Sequence, residues 1–195
     1  NIIFENELEA LPPKVERREK LIEAMRGQAE PIYTKFLAEL DRMFPEYEVH
    51  QAEEKLFEPI TEFTADTCEF KGFIDLVIKT PDGKYHIIDW KTCSWGWDQK
   101  KKSDRMTTYQ LTLYKKFWCQ KHNIDPSMVE TYFGLLKRTA KDKNVEIFRV
   151  TSGPRKTKNA TDFLFKAVTA IHRGIKIKNR MSCRYCDFNK TKNCS

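Results

Sequence analysis

The sequence predicts a single α/β domain built on one central β-sheet, and three observations lead to this prediction. The apolar patterns follow the order helix, three strands, helix, two strands, helix. The 195 residues, 40% of them hydrophobic, suit one domain that can bury about 70% of its unfolded surface without disulfides or metals. No apolar run approaches the length of a transmembrane helix, so we expect no membrane-spanning segment.

Apolar residues at helical spacing predict three helices. The first covers residues 14–44, where Pro31 predicts a break or a new helix start near residues 27–30. The last covers residues 160–173. The second covers residues 107–122 and carries an apolar side made of Leu111, Tyr114, Phe117 and Trp118.

Five runs rich in β-branched and aromatic residues predict the strands, which cover residues 48–60, 69–79, 84–91, 129–138 and 144–151. We also predict that the phenylalanines of the second half belong to the core, namely Phe133, Phe148, Phe163 and Phe165.

A tight hairpin between the second and third strands is predicted by Pro81-Asp82-Gly83, because proline presets the first turn position and glycine accepts the left-handed third one. With a three-residue loop, Asp75 lies directly opposite Asp89, their Cβ atoms about 5 Å apart. Lys91 is two residues further on and shares their face.

Two opposed carboxylates repel each other, and a divalent cation between them removes that cost. Oxygen ligands of this kind suit Mg²⁺ or Mn²⁺, while Lys91 could position a water or balance phosphate charge. The same register places Phe73 and Val77 on the face of the aspartates and Ile74 on the other. The alternative is a solvent-facing strand with scattered charges.

Charge is divided unevenly along the chain. Residues 1–98 hold 12 Lys and Arg against 21 Asp and Glu, a net charge of −9. Residues 99–195 hold 23 against 7, a net charge of +16. A basic half indicates a surface for a polyanion such as nucleic acid, although a merely solvated basic surface is the alternative.

A basic loop is predicted for residues 99–105, directly after the strand that carries Lys91. Trp95 and Trp97 precede this loop and could stack on unpaired bases, or could simply be buried. The side chains that could clamp a DNA backbone are Lys100, Lys101, Lys102 and Arg105, and a solvated loop is the alternative.

Two motifs, Gly72-Phe-Ile-Asp75 and Ile87-Ile-Asp89-Trp-Lys91-Thr, resemble the PD-(D/E)xK nuclease superfamily. The similarity is strongest to its RecB-like branch, which includes the CRISPR adaptation nucleases. Gln110-Leu-Thr-Leu-Tyr114 stands where that branch has a Gln-x-x-x-Tyr motif on the next helix. Arg26-Gly-Gln-Ala-Glu30-Pro31 looks like the Gly…Glu-Pro helix of the lambda-exonuclease-like branch, which includes phage and recombination exonucleases.

The resemblance implies a role for each matching residue. Lys91 would handle the attacking water, and Gln110 and Tyr114 would orient Lys91 or the substrate phosphate. Glu54 is an alternative acidic residue, although an ordinary surface glutamate beside Lys55 is the simpler interpretation. The ligands of Mg²⁺ or Mn²⁺ would be Asp75, Asp89, the backbone carbonyl of Trp90 and, directly or through water, Glu30.

The resemblance also implies a restriction-endonuclease-like core over residues 1–180, a mixed sheet flanked by helices, with residues 181–195 as a cysteine-rich tail packed on it. The implied activity is exonuclease action on DNA ends or single strands in recombination, repair or replication. Alternatives are a structure-specific endonuclease, an RNase, the nuclease part of an assembly with a helicase or recombination protein, and a catalytically silent nucleic-acid-binding module.

The tail carries Cys183, Cys186 and Cys194 in a C-x₂-C-x₇-C arrangement. RecB-like nucleases often end in such cysteines around a [4Fe–4S] cluster, and Zn²⁺ with a histidine is the alternative. The fourth ligand would come from Cys68, Cys93, Cys119 or His172. Because the first residues are acidic and lack a basic segment, we expect no signal peptide and an intracellular protein without a membrane partner: in bacterial or phage-infected cytoplasm, or in a eukaryotic nucleus or organelle.

Overall fold

The structure is a computed structural model that describes residues 18–61, 68–175, 183–184, 186–192 and 194. The predicted helical residues 14–17 lie outside the described residues, as does the start of the predicted tail at residues 181–182. The elements in chain order are α1 (Arg18–Met43), β1 (Glu48–Pro59), β2 (Glu69–Lys79), β3 (Tyr85–Cys93), α2 (Gln99–Lys102), α3 (Arg105–His122), a 3₁₀ turn (Pro126–Met128), β4 (Val129–Lys137), β5 (Val145–Val150) and α4 (Pro154–His172).

The five strands form one mixed sheet in the order β1-β2-β3-β4-β5. Neighbouring strands are antiparallel except β3 and β4, which are parallel and are joined through α3. A parallel connection of this length has to cross over one face of the sheet, and the helix within it covers that face. The predicted α/β class with a restriction-endonuclease-like core is confirmed.

Each face of the sheet buries its own hydrophobic core. Val77, Ile87 and Phe133 pack with residues of α3 on one face. Ile78 and Ile88 pack on the other face with the C-terminal half of α1. Because side chains alternate along a strand, neighbours in the sequence supply opposite cores, and the sheet is covered by helices on both sides.

The predicted hairpin register is confirmed over four residue pairs, from Lys79 opposite Tyr85 to Leu76 opposite Ile88. Gly83 has φ +81°, the left-handed conformation that the third turn position requires. The predicted face of Ile74 is wrong, because Ile74 packs in the same core as Val77. The alternation reverses between these two residues, opposite Glu53 of β1, which has φ +50°.

Two local predictions about helices are also wrong. α1 continues through Pro31 without a break. Gly27, four residues earlier, is exposed, so water can satisfy the carbonyl that has lost its hydrogen bond. The predicted basic loop at residues 99–105 contains a helical turn and the start of α3, because Asp98 and Asp104 each cap a helix N-terminus.

The last helix begins at Pro154, six residues before the predicted start, since proline suits the first turn of a helix. Phe133 is buried and Phe148 packs against the core, as predicted. Phe163 and Phe165 are exposed on α4, which corrects their assignment to the core. None of the helices in the described part of the chain is long and apolar enough to cross a membrane.

Candidate active site

Asp75 and Asp89 meet where β2 and β3 separate. The backbone ladder between the two strands ends at Leu76 and Ile88. Beyond these residues the Asp75 side chain replaces a backbone acceptor of β2, and its Oδ2 accepts a hydrogen bond of 2.6 Å from the backbone N–H of Trp90. This bond fixes Asp75 beside the segment that contains Asp89, and its other carboxylate oxygen is left for a ligand.

Asp89 is a buried carboxylate, 2% exposed, and Lys91 is the cation beside it. Its Oδ2 lies 2.7 Å from Lys91 Nζ, but the approach is too bent for a hydrogen bond, so this buried oxygen lacks a well-directed donor. Burial raises the pKa of Asp89 above its ordinary range, Lys91 opposes the rise, and the charge of Asp75 adds to it.

The other oxygen of Asp89 is held by α3. Gln110 Nε2 donates to Asp89 Oδ1 at 3.1 Å and also lies 3.0 Å from the hydroxyl of Tyr114. The i, i+4 spacing places Gln110 and Tyr114 on one face of the helix, as the sequence pattern predicts. In this geometry Gln110 orients Asp89 rather than Lys91.

The ring of Tyr114 depends on a glycine of β2. A Cβ atom on Gly72 would lie 2.7 Å from Tyr114 Cε1, closer than real Cβ atoms approach a neighbour. A second close approach involves Gly134 of β4, where a Cβ would lie 2.1 Å from the Trp90 ring. Sequence reasoning assigned no role to either glycine, although Gly72 stands inside the quoted Gly-x-x-Asp motif.

The donor set at this point fits a hard divalent cation. Two carboxylates, one of them with a buried oxygen short of donors, and the nearby Trp90 carbonyl offer the all-oxygen ligands that Mg²⁺ and Mn²⁺ prefer. Among the described residues, no three His, Cys, Asp or Glu side chains converge on one point. Glu30 therefore does not join the two aspartates. It is exposed on α1, outside the C-terminal turns that pack against the sheet.

Basic residues lie beside the C-terminal end of β3. Lys100 and Lys101 line a cleft with Cys93, which is two residues beyond Lys91 on the same strand. The other two predicted DNA contacts differ from these. Arg105 is exposed at the start of α3, whereas Lys102 forms an ion pair with Glu146 and is directed toward β5.

The two tryptophans of the β3–α2 connection have different environments. Trp95 is 75% exposed, so its ring is accessible to a ligand. Trp97 packs edge-on against Phe133 with ring centroids 5.1 Å apart, and Lys101 Nζ lies 5.0 Å from its centroid. The structure thus keeps Trp95 as a candidate for base stacking and gives Trp97 a place against the core.

Glu54 is not the surface glutamate that the simpler interpretation expected. It is 3% exposed and accepts hydrogen bonds from Trp118 Nε1 at 2.6 Å and from Lys121 Nζ at 3.0 Å, with His122 Nε2 at 2.6 Å. Burial would raise the pKa of Glu54, but the donors from His122, Lys121 and Trp118 outweigh it and hold the pKa below its ordinary value. Glu54 thus ties β1 to the C-terminal end of α3, away from Gln110.

The tail cysteines do not form a cluster in the part of the chain that the structure describes. Cys186 and Cys194 are exposed, and no three candidate metal ligands converge within that part. Cys68 Sγ lies 3.8 Å from His172 Nε2, so two of the proposed fourth ligands are close to each other. A metal bound by the three tail cysteines stays a prediction.

Comparison with known proteins gives a family and a fold. The profile of the PD-(D/E)XK nuclease superfamily matches residues 3–191. No curated protein matches the sequence significantly. A solved structure described as a "Putative exonuclease" from Eubacterium rectale superposes with a TM-score of 0.54 at 16% identity, covering 84% of this chain and 59% of that one. The chain thus spans less than two thirds of that protein. A structure named SSO0001 aligns at 14% identity over 87% of this chain and 71% of its own length, with a TM-score of 0.49.

Proposed function

Because the chain belongs to the PD-(D/E)XK nuclease superfamily, we propose that it is an Mg²⁺- or Mn²⁺-dependent deoxyribonuclease that uses Asp75, Asp89 and Lys91. The observation that supports this most is the buried Oδ2 of Asp89, which lacks a well-directed donor beside a second carboxylate. A protein keeps such an oxygen at a cost in stability, and a cation ligand compensates for that cost.

In this proposal each side chain has a distinct task. Asp75, Asp89 and the carbonyl of Trp90 hold the cation, and Gln110 fixes the orientation of Asp89 through its bond to Oδ1. A bound Mg²⁺ or Mn²⁺ supplies charge neutralisation on the phosphate and lowers the pKa of a water. Lys91, whose ammonium already lies at the carboxylate, holds the attacking water in line with the scissile bond.

The substrate side of the proposal uses the basic cleft next to β3. Lys100 and Lys101 of α2 line the cleft at the C-terminal end of β3, the strand that carries Asp89 and Lys91. There they can contact the phosphates that flank the scissile bond. We favour exonuclease action on DNA ends or single strands, in keeping with the name of the Eubacterium rectale protein and with the branches that the motifs resemble. Endonuclease action and RNA cleavage are the competing outcomes of the assay below.

The test is incubation of end-labelled single-stranded, double-stranded and circular DNA, and of single-stranded RNA, with the protein and Mg²⁺ or Mn²⁺. We expect cleavage of the linear DNA only, abolished by chelation. Asp89→Ala should lower the rate by about 100-fold or more, the scale of losing one charge-stabilising group. Asp82→Ala, an exposed aspartate in the turn of the same hairpin, is the matched control and should cleave like the parent. If Asp89→Ala stays within about tenfold of the parent, the assignment of the site is wrong.

A further inference from the structure

An apolar groove lies between α1 and the C-terminal ends of the parallel strands β3 and β4. Its volume is about 610 Å³, within the range of ligand-binding pockets, and nearly all of its lining is apolar. We call it the α1 groove, and the residues that matter for its function are Ile32, Tyr33, Phe36, Thr92, Leu136 and Arg138.

The side chains of this groove are unusually accessible for apolar groups. Tyr33 is 81% exposed, and Leu37, which also lines the groove, is 59% exposed. The rings of Phe36 and Trp90 pack with centroids 4.6 Å apart, which anchors α1 where the groove begins. A contiguous apolar surface of this kind on a protein usually marks a binding site, and here it presents a flat aromatic ring.

The groove begins one residue beyond the candidate catalytic lysine. Thr92 follows Lys91 on β3 and pairs with Leu136 of β4, so these two residues form part of the groove wall at the end of the catalytic strand. The next residues continue this contact, since Arg138 donates its backbone N–H to the carbonyl of Cys93 at 2.8 Å. Thr92 and Lys91 point to opposite faces of β3, so a DNA strand that reaches Lys91 enters the groove by passing around the C-terminal end of β3.

The rim of the groove carries one available cation. Arg138 is exposed, and its guanidinium has no hydrogen-bond or ion-pair partner among the residues that the structure describes. A groove that carries a guanidinium, an aromatic ring and an apolar wall matches a nucleotide, which offers a phosphate and a base with a π face. An apolar segment of a partner protein would use the wall but would leave the cation without a counterpart.

We propose that the α1 groove receives unpaired bases of the DNA strand being cut, with the Tyr33 ring as a stacking platform and Arg138 on the adjacent phosphate. The proposal rests on the nuclease function proposed above and specifies its substrate as single-stranded DNA, or an end that has been unpaired. Duplex DNA keeps its bases in the helical stack, where the ring of Tyr33 has no access to their faces.

The test compares binding of two labelled single strands of equal length in the cleavage-deficient Asp89→Asn background with Mg²⁺. One strand is normal, and the other is abasic, with the same phosphates but no bases. We expect the normal strand to bind about tenfold more tightly, the scale of stacking one base. Adding Tyr33→Ala should remove this preference while changing abasic binding little, whereas Tyr33→Phe should keep it because the ring remains.

Phe57→Ala is the control, since Phe57 is also an exposed aromatic residue but lies on the far edge strand β1, and it should keep the preference. The proposal would be overturned if Tyr33→Ala lowered the affinity for the normal and the abasic strand equally, or lowered neither affinity. A change in sedimentation coefficient on Tyr33→Ala with unchanged DNA affinity would also overturn it, and would assign the groove to a protein partner or a second copy. Failure of the parent to bind or cut any DNA would instead refute the proposed function itself.

Discussion

The substitution Gly72→Ala tests the contact between β2 and the ring of Tyr114, which supports Gln110, the residue bonded to Asp89. The new methyl group would lie 2.7 Å from Tyr114 Cε1, whereas ordinary contacts begin at 3.4 Å, so the ring must retreat by about 0.7 Å. Tyr114 is buried, and overpacking of this kind costs about 1–3 kcal/mol of unfolding free energy. Displacement of the phenol also disturbs its 3.0 Å contact with Gln110, the residue that orients Asp89.

We therefore expect Gly72→Ala to lower the free energy of unfolding, measured by denaturant titration, and to lower the Mg²⁺-dependent cleavage rate by about tenfold to 100-fold, the effect of a misplacement approaching 1 Å. In a Tyr114→Ala background the added methyl has no ring to meet, so its cost in stability should largely disappear. This double-mutant cycle separates the steric contact from a general intolerance of β2 to alanine.

Gly27→Ala is a control that should change the free energy of unfolding in the opposite direction. Gly27 lies in α1, where an added Cβ would point into open space, and alanine there should raise stability by up to about 1 kcal/mol through helix propensity. Tyr114 does not make the proposed contact if Gly72→Ala folds and cleaves like the parent. The same holds if Gly72→Ala lowers the free energy of unfolding equally with and without the Tyr114 ring.

Three further predictions follow from other parts of the molecule. Mg²⁺ or Mn²⁺ should raise the melting temperature of the parent protein. The increase in melting temperature should be smaller in Asp75→Asn, which loses a ligand, and should persist in Lys91→Ala, which loses a positive charge but no ligand. Equal increases in all three proteins would exclude these carboxylates as the metal site. The pKa of Glu54 is lowered in the folded protein, so its ion pairs stabilise the fold at pH values above the ordinary pKa of 4.5 and are lost as pH falls through the pKa of the folded state. Glu54→Gln should therefore lower the free energy of unfolding at pH 7 and weaken its dependence on pH in the acid range. An unchanged dependence in the acid range would contradict this. DNA affinity should fall with salt, and Lys100→Glu should reduce the slope of log affinity against log salt by about one, whereas Lys55→Glu on β1 should leave it unchanged.

Local chemistry is enough to specify several elements of this protein from its residues alone. Pro81-Asp82-Gly83 defined the hairpin, and its three-residue loop set the register that pairs Leu76 with Ile88 and leaves Asp75 beside the segment of Asp89. The i, i+4 spacing likewise placed Gln110 and Tyr114 on one face of α3. These features extend over a few residues, where turn geometry and side-chain periodicity leave little choice.

Tertiary structure decided the features that depend on residues distant in sequence. Glu54 is buried because α3, more than 60 residues later, supplies three donors to it, and nothing near it in the sequence indicates this. Lys102 points away from the candidate DNA path because Glu146 of β5 binds it. Gly134 matters only because the β3–β4 pairing lays the Trp90 ring against it. Burial and partner choice are properties of the assembled sheet and helices, so local pattern cannot specify them.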